Sequence, residues 1–250
     1  MGKSTKDSRD IFYRQAKSDG YRARSAYKLL QLDEEFGFLT HSPLLAPAES
    51  SSAPRRVVDL CAAPGSWSQV LTRRLPSGSR IVAVDLQPMA PLPGVQQICG
   101  DITLETTAAE VAAALAGDDE ERQKADLIVC DGAPDVTGLH ALDAYLQSQL
   151  LQAAMTLVFR LLAPRGVFVA KIFVNPTVDS HSKTGTGPGG ADALLLVAQL
   201  RTAFDDVVIA KPRSSRISSA EHFVVASGFR GSAQLDAFQQ CGDLADWNEQ

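Results

Sequence analysis

Seven short apolar runs separated by longer segments of helical character are the feature that most restricts what this chain can fold into. The runs are Arg56–Cys61, Ile81–Leu86, Val95–Cys99, Leu127–Asp131, Gly166–Phe173, Val207–Ala210 and Phe223–Ala226. Each is too short for a helix and is bounded by Gly, Pro or acidic residues, so each predicts a strand. Helical spacing of apolar residues covers 22–36, 66–75, 105–116, 141–163 and 191–204, and Pro164 and Gly166 close the fourth of these. Strands alternating with helices predict an α/β fold. It is a Rossmann-like, seven-stranded, mainly parallel sheet with helices on both faces. Residues 40–54, rich in Pro and Ser, predict a loop, and Asp118–Glu121 predict a solvated acidic turn.

Open sheets of this kind bind ligands beyond the carboxyl ends of their strands, so the residues there carry the functional reading. The first strand runs into Asp59-Leu60-Cys61-Ala62-Ala63-Pro64-Gly65-Ser66-Trp67, where small residues and Gly65 let a ligand approach the backbone at a helix start. Asp85 ends the second strand, 20 residues after Gly65, where an acid accepts hydrogen bonds from ribose hydroxyls. Asp101 follows the third strand, placed for an adenine amino group, and Asp131 ends the fourth. Acids after four successive strands suit a nucleoside ligand that carries positive charge, such as S-adenosylmethionine. They repel a pyrophosphate. The stretch Gly185-Thr186-Gly187-Pro188-Gly189-Gly190 matches a dinucleotide fingerprint literally, but it follows no strand directly and reads as a flexible loop. The fifth strand carries Lys171 near its carboxyl end. A lysine in so apolar a run is there to be paired or used. An amine in its neutral form can take a proton from a hydroxyl.

Composition narrows the classes. The chain has 250 residues, 45% hydrophobic and 21% charged, enough for one large domain with no internal repeat. No apolar run reaches 18 residues, and the start has neither a secretory h-region nor a myristoylation pattern, so a cytoplasmic protein is expected. Cys61, Cys99, Cys130 and Cys241 lack C-x-x-C spacing and read as buried free thiols; no metal site is expected. A net charge of −5 is wrong for a general nucleic-acid binder, yet residues 1–28 carry eight basic residues against three acidic ones. Phe12, Tyr13, Tyr21 and Tyr27 interleave there. The segment reads equally as an arm for phosphates and unpaired bases or as a solvated amphipathic helix.

Five segments, Ser25-Ala26-Tyr27-Lys28-Leu29, Asp59 to Trp67, Asp131-Gly132-Ala133-Pro134-Asp135, Ala170-Lys171-Ile172-Phe173 and Lys211-Pro212-Arg213-Ser214-Ser215-Arg216, together give a resemblance over residues 12–229. The chain resembles the FtsJ (RrmJ) family of RNA ribose 2′-O-methyltransferases, class I enzymes dependent on S-adenosyl-L-methionine. The resemblance implies a catalytic Lys28, Asp131, Lys171 and Glu221. It implies cofactor contacts at Gly65, Trp67, Asp85, Asp101 and Asp131. RNA contacts are expected at Arg22, Arg24, Lys28, Arg213 and Arg216. Segments 132–140, 145–150 and 214–221 look most like the eukaryotic cytoplasmic tRNA enzymes, which modify nucleotides 32 and 34 of the anticodon loop with auxiliary partner proteins.

The expected organisation is a single methyltransferase domain over 1–250. Residues 1–36 form a basic RNA-binding arm and helix, 40–54 and 174–190 are inserted loops, and 231–250 are a tail. Lys171 is the expected general base on the ribose 2′-hydroxyl. Asp131 holds its head, and Lys28 and Glu221 orient the hydroxyl. The alternatives are the same chemistry on rRNA or an mRNA cap, a small-molecule methyltransferase, and a catalytically silent RNA-binding scaffold.

Overall fold

A computed structural model describes residues 4–39, 55–117, 123–133, 140–174, 191–216 and 219–231. The loop 40–54, the acidic turn 118–121, positions 134–139, the glycine-rich stretch 185–190 and the tail from 232 onward lie outside the described residues. In chain order the elements are α1 (Ser4–Ser18), α2 (Ala26–Phe36), β1 (Arg56–Leu60), α3 (Ser66–Arg74), β2 (Arg80–Asp85), β3 (Val95–Cys99) and α4 (Glu105–Ala116). They continue with β4 (Ala125–Cys130), α5 (His140–Leu161), β5 (Leu162–Phe173), α6 (Ala191–Ala203), β6 (Phe204–Ala210) and β7 (Glu221–Phe229).

The sheet order is β3-β2-β1-β4-β5-β7-β6, with β7 antiparallel to both β5 and β6 and the other pairings parallel. From β1 the chain moves outward through β2 and β3, then returns to lay β4 on the other side of β1. That reversal opens a crevice at the carboxyl ends of β1 and β4. Successive strand residues point to opposite faces, and both faces are apolar. Val57, Leu127, Val129, Val167, Val169, Phe223 and Val225 pack against α2 and α3. Val58, Leu60, Ile128, Phe168, Ala170, Val224 and Ala226 pack against α4, α5 and α6. A sheet buried on both sides requires the unbroken apolar runs that mark these strands in the sequence.

The structure departs from expectation in two boundaries and in the burial of the cysteines. The helix expected over 22–36 begins only at Ala26, because Arg22–Ser25 are engaged by α3. The Arg22 amide donates to Gln69 Oε1, Ser25 Oγ bonds Ser66 Oγ at 2.6 Å, and Ser25 O accepts the Trp67 indole N–H. Strand β5 begins at Leu162, not Gly166. Register jumps from Ala125↔Leu162 to Leu127↔Val167, so Pro164, Arg165 (φ 67°) and Gly166 sit in a bulge within the strand and not between helix and strand. The cysteines are not uniformly buried. Cys130 is, Cys61 is half-buried, and Cys99 is exposed at the end of β3, an edge strand with no buried residue. Cys241 lies outside the described residues.

The basic N-terminal segment holds the helix α1 and then the turn before α2. Three of its four aromatics pack together, Phe12 and Tyr21 on Tyr27, while Tyr13 is exposed. Among the described residues no helix is long and apolar enough to cross a membrane, and no cluster of His, Cys, Asp or Glu could hold a metal ion.

Candidate active site at the strand ends

Four charged side chains from four distant parts of the chain meet at the carboxyl end of β4. Lys28 stands in the first turn of α2, Asp131 just after β4, Lys171 near the end of β5 and Glu221 at the start of β7. The antiparallel pairing of β5 with β7 sets Phe173 opposite Glu221 and Lys171 opposite Phe223, so both strands deliver their charges to one place. Lys171 Nζ donates to the Asp131 main-chain oxygen at 2.7 Å and lies 3.1 Å from its Oδ1. Lys28 Nζ donates to Glu221 Oε2 at 2.7 Å and lies 3.4 Å from Asp131 Oδ1. Two cations and two anions thus share a site in which every side chain is less than one-fifth exposed. Buried charge is tolerated only when compensated in this way.

Burial pushes the Glu221 carboxyl up, but Lys28, Ser215 and Lys171 outweigh it and hold the group below its ordinary value. Ser215 Oγ donates to Glu221 Oε1 at 2.7 Å, and Lys28 also sits 5.6 Å above the Phe223 ring. Behind the site, Gln147 Nε2 donates to the Lys171 main-chain oxygen at 3.0 Å. Ser215 and Gln147 were not expected as site residues. Each fell within a quoted segment, but no spacing rule in the sequence links either to a charge brought close only by the sheet.

The residues expected to hold the cofactor lie around the crevice between β1, β2 and β4. Gly65 has φ 101°, a left-handed conformation that a side chain strains, and it opens α3, whose first-turn amides have no partner within the helix. Asp85 accepts the Ala63 amide on Oδ2 and the Gln87 amide on Oδ1, each at 2.8 Å. Asp101 takes both the Thr103 amide and hydroxyl on Oδ1, which lowers its pKa. Trp67 turns its ring away from the crevice. Its indole is 2% exposed, tilted against Phe223 with ring centroids 5.8 Å apart, and its N–H is spent on Ser25 O. The residue can offer a ligand only its main chain, because α2 covers the ring.

Asp59 is 1% exposed and accepts Ser68 Oγ at 2.6 Å. Burial pushes its carboxyl up to about 7, with the Ser68 hydrogen bonds opposing. It therefore packs the loop and does not face a ligand. A carboxyl whose folded pKa is raised holds a proton that the unfolded chain has released. Its contribution to stability is full below about pH 4 and is lost as pH rises to about 7. Asp59→Asn keeps an acceptor for Ser68 and should flatten this fall. Thermal midpoints of both proteins from about pH 5 to 8 test it; parallel curves would refute the assignment.

The expected RNA contacts separate into two groups. Arg24, Lys28 and Arg216 line a cleft of about 360 Å³ with Phe173, Ser219 and Glu221, next to the charged cluster. Arg22 and Arg213 do not line it. Arg213 is exposed and pairs with Glu34 at 3.3 Å on the outer side of α2. Arg22 reaches the other way, to Pro64 and Pro91. Two residues apart in a turn, Arg22 and Arg24 are directed to different sites, which spacing alone does not reveal.

Over residues 21–229 the chain matches the FtsJ-like methyltransferase family. It belongs to that family. The matched range takes in all seven strands and all four members of the charged cluster. Against the human tRNA (cytidine(32)/guanosine(34)-2′-O)-methyltransferase, this FtsJ-like chain is 50% identical over 231 residues, 92% of its length and 60% of the human protein's. It therefore spans less than two-thirds of that relative. Against the Schizosaccharomyces pombe protein of the same name it is 48% identical over 239 residues, covering 92% of this chain and 73% of the other. A solved structure, from a Plasmodium falciparum protein provisionally named a ribosomal RNA methyltransferase, superposes with a TM-score of 0.64 at 23% identity. The match covers 84% of this chain and all of that one, and it supports the fold.

Proposed function

We propose that this chain transfers a methyl group from S-adenosyl-L-methionine to a ribose 2′-oxygen of tRNA, at nucleotides 32 and 34 of the anticodon loop. The observation that carries the chemistry is the buried Lys28–Glu221 and Asp131–Lys171 cluster beside a basic cleft. The choice of tRNA rests on 50% identity to a relative that carries that activity in its name.

Bound S-adenosylmethionine would supply an electrophilic methyl group on a sulfonium. Gly65 and the opening of α3 suit its methionine end, and Asp85 and Asp101 suit the ribose and adenine. Lys171 takes the proton of the 2′-hydroxyl. Its amine donates to the Asp131 main-chain oxygen and lies against Oδ1, so Asp131 positions the nitrogen whose lone pair takes the proton. Asp131 fixes that direction, and Lys28 with Glu221 holds Asp131 and orients the incoming ribose. Arg24 and Arg216 bind the flanking phosphates, and the arm 1–36 extends that surface. With basic residues so localised on a chain of net charge −5, an auxiliary protein supplies part of the RNA grip and selects the nucleotide, and the setting is cytoplasmic.

The test is methyl transfer from labelled cofactor into unmodified tRNA and rRNA, with the modified ribose mapped, alone and with cell extract added as a source of partner. Label at nucleotides 32 and 34 is the expected result. Label confined to rRNA overturns the substrate, and none in any mixture overturns the enzyme reading. Arg24→Ala with Arg216→Ala should raise KM for tRNA about tenfold or more with kcat less affected.

A further inference from the structure

The Arg22 guanidinium lies directly over Gly65. A Cβ built on Gly65 would stand 2.7 Å from Arg22 Nη1 and 3.4 Å from the Met89 sulfur. The space that glycine leaves open at the head of α3 is therefore lined by a cation. Nη1 donates to Pro64 O and Nη2 to Pro91 O, each at 2.9 Å, so the side chain bridges the β1–α3 loop and the β2–β3 loop. Its main-chain amide is held by Gln69 Oε1 at 2.7 Å, which fixes the residue from α3 as well. Both side-chain bonds end on neutral carbonyl oxygens, and among the described residues no carboxylate pairs with it. Two of its five N–H donors are used, and a half-buried, uncompensated guanidinium favours an anion.

We infer that Arg22 is the partner of the α-carboxylate of S-adenosylmethionine; the inference rests on the cofactor reading above. The amino-acid carboxylate is the single anionic group of that molecule, and Gly65 is where a ligand can reach the main chain. Asp85 and Asp101 lie on the nucleoside side and would repel a carboxylate, so the charges of the crevice run from cationic to anionic along the bound molecule. A bidentate guanidinium–carboxylate pair at the head of α3 adds to the helix-terminal field. Arg22 also precedes by two residues Arg24, which lines the RNA cleft. One short turn thus reads the cofactor on one side and RNA on the other.

The test compares equilibrium binding of S-adenosylmethionine and of decarboxylated S-adenosylmethionine to the full-length wild-type protein and to Arg22→Met. The two ligands differ in the carboxylate alone. Wild type should prefer the carboxylate form by about tenfold or more, and Arg22→Met should reduce that preference to within about twofold, by weakening the first ligand and leaving the second nearly unchanged. Arg22→Lys should restore part of the preference. Equal weakening of both ligands, or an undiminished preference in Arg22→Met, overturns the inference and leaves Arg22 a strut between two loops. Failure of wild type to bind either ligand overturns instead the cofactor reading on which it stands.

Discussion

Lys171→Met is expected to lower methyl transfer by about 10²- to 10⁴-fold, the usual size of a lost general base, while S-adenosylmethionine binds with a Kd within about threefold of wild type. Lys171 is 8% exposed in the apolar end of β5, and its head makes two contacts, both to Asp131. A methionine of similar length fills the same volume but leaves Asp131 and Glu221 with Lys28 alone, so some thermal stability is lost, and loss of rate with cofactor binding kept identifies a chemical role. The loss should fall on kcat, since Arg24, Lys28 and Arg216 still line the cleft for RNA. Turnover within about tenfold of wild type would remove Lys171 from the chemistry.

Phe223→Ala should cost about 3–5 kcal/mol of stability and lower the thermal midpoint by about 10 °C. Phe223 is fully buried. It packs on Trp67 from α3, lies under the Lys28 ammonium, and stands opposite Lys171 in the β5–β7 ladder. Deleting the ring leaves a cavity at the one point where α3, α2 and two strands of the site converge. Phe223→Leu keeps most of the volume and should cost less than about 1.5 kcal/mol. The pair is read by denaturant midpoints; a loss below about 1 kcal/mol in the alanine variant would show that the region closes around the gap.

The runs that became strands were plain in the sequence because a sheet covered on both faces needs continuous apolar residues. Asp131 and Lys171 were conspicuous for the same reason, as charges inside or just beyond such runs. The bulge at Pro164–Gly166 was not visible, since Pro and Gly mark a chain break and a strand irregularity alike. Nor could the start of α2 be placed. The hydrogen bonds that hold Arg22–Ser25 out of the helix come from α3, more than 40 residues away. The same distance hid the division of labour between Arg22 and Arg24, and the burial of Trp67, whose ring would be a natural ligand surface if α2 did not cover it. The meeting of Lys28 with Glu221 rested on family resemblance, because 193 residues separate them.

The position of β7 also fixes when the charged cluster can form. It is the last strand among the described residues, yet it lies inside the sheet, hydrogen-bonded on both edges by β5 and β6. Until it has left the ribosome and inserted, β6 has no neighbour in the sheet, Lys28 has no Glu221, and Phe223 is missing from beneath the ammonium. A nascent chain can assemble the β1–β4 crevice early, whereas the charged cluster closes only when β7 pairs with β5. Closure of the charged cluster thereby waits on a strand that runs to residue 229.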